Sequence, residues 1–274
     1  MHTEHLNLAY GERQIVEDLS VEIGRGQVTA IVGPNGCGKS TLLRSLARLL
    51  KPAAGGILLD GVDIHRVPTR DLARRLAMLP QSPLTPSGIT VRELVGYGRF
   101  PHQGLLRGVS REDREAIEWA LNVTDLGDYG DREVDTLSGG ERQRAWIAMS
   151  LAQKTDVLLL DEPTTFLDIH YQLDLLNLVR TLNHEHGLTV VWVLHELNQA
   201  AAFSDHIIML KEGKVICQGD PRLVMTPEAI RTVFNIDCCV IQHPMGAAPV
   251  CVPNSLCPLR QRLPATSPTV LMPN

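Results

Sequence analysis

Gly33-Pro34-Asn35-Gly36-Cys37-Gly38-Lys39-Ser40-Thr41, led in by the apolar run Val28-Thr29-Ala30-Ile31-Val32, is the stretch that decides the fold. It satisfies G-x-x-x-x-G-K-[ST] at every fixed position, and its context is an apolar strand before and a helix after. The glycines let the backbone curl until successive N–H groups converge on one point, and the helix start adds the positive end of its dipole. That concavity fits a triphosphate. Lys39 reaches the β- and γ-phosphates, and the Ser40 hydroxyl is a ligand for Mg²⁺. Cys37 occupies a variable position of the loop and reads as a tolerated small residue rather than a redox switch.

Outward from the loop, short apolar runs alternate with helical patterns. Leu6–Tyr10 and Ile15–Ile23 read as strands around Gly11-Glu12, Gln27–Val32 as the strand feeding the loop, and Lys39–Leu50 as the helix leaving it. Gly55–Leu59, Leu76–Leu79, Val157–Leu160 and Thr189–Leu194 read as further strands, with helices at Thr69–Arg75 and Ile169–Asn183. Ile207–Leu210 and Lys214–Gln218 flank the hairpin signal Lys211-Glu212-Gly213. Such alternation predicts an α/β fold with a mostly parallel sheet covered on both faces. Pro83-Leu84-Thr85-Pro86 opens a mostly helical insertion, about 83–153, in which Ser110 caps a helix. The first domain is expected over 1–242. Prolines punctuate 243–274, which is expected to be a partly disordered tail.

The 274 residues are 44% hydrophobic, enough for one substantial core, and carry a net charge of −5 with 4% aromatics. The charge argues against nucleic acid as a partner, and the few aromatics argue against a base-stacking platform. No apolar run approaches the ~18 residues of a membrane span, and the N-terminus has no secretory pattern. Membrane work would therefore need spanning helices from another chain. Six irregularly spaced cysteines read as reduced thiols. Cys238, Cys239, Cys251 and Cys257 near His243 suggest a metal site, but an adjacent pair cannot easily share one ion and no C-x-x-C occurs.

Val157-Leu158-Leu159-Leu160-Asp161-Glu162 is a buried strand ending in two carboxylates. Asp161 is placed to hold Mg²⁺, through water, and Glu162 to act as general base on the attacking water. Leu137-Ser138-Gly139-Gly140-Glu141-Arg142-Gln143 starts a helix whose hydroxyl and free N–H groups form a second anion site.

This last segment resembles the signature sequence of the ABC ATPases, a resemblance that covers residues 1 to about 242. It implies a P-loop NTPase of the ABC nucleotide-binding type: a RecA-like core, an N-terminal antiparallel β-subdomain and an inserted α-helical subdomain. It further implies a homodimer that sandwiches two ATP molecules, with Ser138, Gly139 and Gly140 of one copy covering the γ-phosphate bound to the other. By the same resemblance Tyr10 stacks on adenine, and Gln81 contacts Mg²⁺ and a membrane partner. His195 contacts the γ-phosphate, and Asp168, in Leu167-Asp168, links the two sites. Catalytic roles then fall to Glu162, His195, Gln81 and Lys39, with Ser40, Gln81 and Asp161 at the metal.

A narrower resemblance runs through Thr90–Val95, Gly98-Arg99-Phe100-Pro101-His102, Arg142–Met149 and His195–Ala200. These are similar to the ATPase subunits of ferric siderophore importers. The resemblance implies integral-membrane permease subunits, a periplasmic substrate-binding protein reached indirectly, and a peripheral place on the cytoplasmic face of the bacterial inner membrane. Vitamin B12 and haem importers share much of the pattern, and transport direction is not written in the site, so an exporter stays open. Glu141, Glu196 and Phe166 depart from the group's usual residues, and none of the three removes a group the chemistry requires.

Overall fold

The computed structural model describes residues 1–83, 86–104, 108–165 and 167–254. The chain opens with β1 (His2–Tyr10) and β2 (Arg13–Leu19), antiparallel, whose buried Leu6, Leu8, Val16 and Leu19 share one face. It crosses to β3 (Val28–Val32), the phosphate-type loop and α1 (Lys39–Leu46), then returns to pair β4 (Ala54–Leu59) with β1 and β5 (Val62–Asp63) with β4. After α2 (Thr69–Ala73), β6 (Leu76–Leu79) starts the approach to the helical insertion of α3 (Val91–Tyr97), α4 (Arg111–Val123) and α5 (Gly139–Ala152). Then come β7 (Val157–Asp161), α6 (Ile169–His186), β8 (Thr189–Val193), α7 (Leu197–Phe203) and the hairpin of β9 (His206–Lys211) with β10 (Lys214–Gly219). The short helices α8 (Pro221–Val224) and α9 (Pro227–Phe234) lead to β11 (Cys238–Gln242) and β12 (Pro249–Pro253).

Two main sheets result. The first, in order β2-β1-β4-β5, is antiparallel; the second runs β10-β9-β3-β8-β7-β6 and is parallel except where β10 joins β9. Every residue of β3, β7 and β8 is buried, as a parallel sheet covered on both faces requires. One core fills the space between the two sheets around Leu42, Leu43 and Leu46 of α1. The other lies on the opposite face under α5, α6 and α7. No described helix is long and apolar enough to cross a membrane.

Side-chain caps start the insertion helices. Thr90 with Glu93, Ser110 with Asp113 and Ser138 with Glu141 each form a reciprocal capping box. One buried cation ties the three helices together. Arg99, just past α3, donates to the Asp113 carboxylate of α4 at 2.8 Å and to the Ala152 carbonyl of α5 at 2.8 Å.

Several expectations differ at the ends. The first helix stops at Leu46 rather than Leu50, and β2 stops at Leu19 rather than Ile23, just after Asp18 turns left-handed at φ 50°. Past 242 the described chain continues to residue 254. Gln242 pairs with Pro249 and Cys238 with Pro253, so both prolines sit at the ends of a two-stranded hairpin. There a missing N–H is tolerated, which is how a proline-punctuated stretch forms strands. The hairpin is held by Asn198 of α7, whose amide donates to the Cys251 carbonyl at 3.2 Å and accepts from the Cys251 N–H at 2.8 Å. Leu84-Thr85 of the proline-rich connection, Phe166, Cys257 and the rest of 255–274 lie outside the described residues.

Candidate active site

Parallel strands carry their C-terminal ends to one edge of the sheet, and four of those ends build the site. β3 delivers the loop 33–38 and Lys39, β6 leads to Gln81, β7 ends on Asp161 and Glu162, and β8 leads to His195. Gly33 stands where a Cβ would lie 2.2 Å from the Leu210 carbonyl oxygen and 2.8 Å from Cys37 Sγ, so no side chain fits there. Gly38 precedes α1 at φ 106°, and no side chain caps that helix start and no acid stands in its first turn. The free N–H groups and dipole of α1 are left for an anion. Lys39 is buried, and its ammonium donates to the carbonyls of Gly33 at 2.9 Å and Pro34 at 3.0 Å. Burial pushes the Cys37 thiol up, against the pull of neighbouring Lys39.

The two carboxylates differ in environment. Asp161 is buried, accepts from Ser40 Oγ at 2.8 Å, and titrates above its ordinary value. Burial is the main cause, the Ser40 hydrogen bond opposes it, and the charge of Glu162 adds to it. Glu162 has a left-handed backbone, φ 50°, which a non-glycine residue adopts only under constraint. Its Oε1 lies 2.7 Å from His195 Nε2; its Oε2 accepts from Thr165 Oγ1 at 3.3 Å and from the Gln81 amide. An open cavity of about 480 Å³ is lined by Asn35, Gly36, Gly38, Lys39, Ser40, Thr41, Gln81, Glu162 and His195 together with Arg13 and Ile15.

Arg13 and Ile15 were not anticipated. Arg13 pairs with Tyr10 across the first turn, and the β1–β2 pairing carries Ile15 and Val16 against Gly38 of the loop. Tyr10 itself is half-exposed and does not line the cavity. Ser138 and Gly139 are exposed, Gly140 is buried against the Tyr171 ring, and Asp168 caps α6 by accepting from the Tyr171 N–H at 3.1 Å. None of Ser138, Gly139, Gly140 and Asp168 lines the cavity.

The donors fit Mg²⁺ in kind. Ser40 and Asp161 present hard oxygens already in contact, and the described residues hold no group of three or more His, Cys, Asp or Glu able to cage an ion. An ion here would rely on phosphate and water for its remaining ligands, as Mg²⁺ does.

Residues 16–165 match the family model described as ABC transporter. The chain is 50% identical over 252 residues to the iron(3+)-hydroxamate import ATP-binding protein FhuC of Bacillus subtilis (strain 168), spanning 92% of this chain and 94% of that protein. It is also 50% identical over 250 residues to the ferric enterobactin transport ATP-binding protein FepC of Escherichia coli (strain K12), spanning 91% and 92%. Among solved structures, the dimeric bacterial ABC transporter cassette MJ0796 superposes with a TM-score of 0.71 at 29% identity, covering 80% of this chain and 97% of that one.

Proposed function

This chain belongs to the ABC transporter family, and from that premise we propose that it is the ATP-hydrolysing subunit of a bacterial importer for iron(III)–siderophore complexes. The observation that carries the chemistry is Glu162, held by His195 and Thr165 at the wall of a cavity floored by Lys39 and Ser40. ATP enters with its phosphates on the α1 N-terminus, and Lys39 exchanges the Gly33 and Pro34 carbonyls for β- and γ-oxygens. Ser40, Asp161 and Gln81 would hold Mg²⁺, which would supply neutralisation of the phosphate charge. Glu162 accepts a proton from the attacking water, while His195 and Lys39 stabilise charge on the leaving group and the transferred phosphoryl. Tyr10 stacks on adenine beside Arg13.

Ser138, Gly139 and Asp168 are exposed and off the cavity, as a surface meeting a second copy must be. In the homodimer they close over the partner's γ-phosphate; the related cassette MJ0796 is itself dimeric, which supports a two-copy assembly. The insertion carries an exposed stacked pair, Tyr97 and Phe100, with centroids 5.2 Å apart. That pair suits contact with integral-membrane permease subunits on the cytoplasmic face of the inner membrane. A periplasmic binding protein delivers the cargo to the permease. Iron(III)–siderophore cargo is favoured over the alternatives because the two relatives described above bear the names of iron-complex systems.

Glu162→Gln tests the reading. Phosphate release should fall by about 10²–10⁴-fold with ATP still bound. Unchanged turnover removes Glu162 from the role of base. Radiolabelled iron(III)–siderophore uptake, restored to a deletion strain by the wild-type chain and not by Lys39→Ala, tests the cargo.

A further inference from the structure

The Glu162–His195 contact joins two loops that leave neighbouring strands. β7 and β8 pair as far as Asp161 with Val193 and then part. Among the described residues no backbone hydrogen bond links 162–168 to 194–203. Yet two side chains must stay within 2.7 Å of each other across that gap.

A relay of two amides spans it. Gln199, one helical turn beyond His195, donates from Nε2 to Gln172 Oε1 at 2.7 Å, and Gln172 Nε2 donates to the Leu167 carbonyl at 2.9 Å. Leu167 closes a tight loop back to Glu162: its N–H donates to Thr164 O at 3.3 Å, and Thr165 N–H donates to Glu162 O at 3.2 Å. On its other side α7 is fixed by the Asn198 clamp on Cys251, so it is gripped from both flanks. The relay also carries a cost, since Gln199 Oε1 is buried and finds no partner among the described residues. An apolar side chain would avoid that cost.

We infer that Gln172 and Gln199 are positioning residues that keep the Glu162-bearing loop and the His195-bearing helix start in register. Neither lines the cavity, so they act through the Glu162–His195 pair and not on nucleotide. The inference rests on the proposed hydrolytic role of that pair.

The test is a double-mutant cycle of Gln172→Leu, Gln199→Leu and both together in the full chain, with Gln172→Met as a second, unbranched variant should Gln172→Leu misfold. At saturating ATP each single variant should lose about tenfold to a hundredfold in kcat. ATP affinity should stay within about twofold of wild type, and the double variant should be no slower than the slower single. The His195 ring resonances should move in the direction that Glu162→Gln moves them. Unchanged kcat, multiplying losses in the double variant, or losses that follow ATP affinity while the His195 resonances stay fixed would each overturn the assignment. A wild-type chain that hydrolyses no ATP would sink the functional reading instead, and the His195 resonances alone would then decide the positioning role.

Discussion

Gly33 shows how tightly single residues are specified around the phosphate loop. At φ 154°, with a backbone carbonyl 2.2 Å from where a Cβ would stand, Gly33→Ala should cost at least about 2 kcal/mol in chemical denaturation and weaken ATP binding. The cysteines separate by environment. Cys251 is pushed up to about 11 by burial and by adjacent Cys238, whereas Cys239 is exposed. Of Cys37, Cys239 and Cys251, a thiol-alkylating reagent at pH 8 should mark Cys239 first and the other two only on unfolding, as read by mass spectrometry. The residue scale is also where the sequence was most legible. Lys39, Ser40, Asp161 and Glu162 stand in local patterns whose spacing alone states the chemistry. Arg13, Ile15 and Thr165 stand in none; they reach the site through strand pairing and a tight loop, which no short window of sequence encodes.

Among the elements, the helical insertion has its own lock. Arg99 and Asp113 are both buried, so Asp113→Ala strands a cation and should cost about 3–5 kcal/mol. Pairing Arg99→Met with Asp113→Leu should recover most of the loss, as measured by denaturant midpoint. Burial alone would push the Asp113 carboxyl up, but hydrogen bonds from Ser110 and Arg99 outweigh it and hold the carboxyl below its ordinary value. Its contribution is therefore complete above the unfolded value and is lost as pH falls through the lower folded one. The stability gap between wild type and Asp113→Asn should be flat above about pH 5 and shrink below it. Helices such as α4 were readable because Ser110 marks the start in one residue. The β11–β12 hairpin was not, because Pro249 and Pro253 read as breakers until their pairing shows that each needs no N–H at its position. Short α7 gave no periodic signal; it is anchored by Asn198 and Gln199 from outside rather than by its own pattern.

For the whole molecule, the division between a cavity and a separate exposed surface makes a complementation test available. Lys39→Ala and Ser138→Arg should each abolish turnover alone. Mixed together they should regain a fraction of it, because one site of the mixed dimer joins the intact cradle of one copy to the intact Ser138 of the other. Phosphate release reads the outcome, and no recovery on mixing would argue against a shared site. Alternation of strands and helices predicted the parallel sheet, but not its order, which depends on where each crossover lands. That order has a consequence for how the protein is made. β3, near the start of the chain, lies between β8 and β9, which begin at Thr189 and His206 and are synthesised far later. On the ribosome the nucleotide cradle emerges early and receives both flanking walls only when residue 211 is out. Until then the nascent chain carries an unpaired apolar strand beside a loop with nothing to brace it. A stalled chain ending before β8 should therefore be prone to aggregation and unable to retain nucleotide.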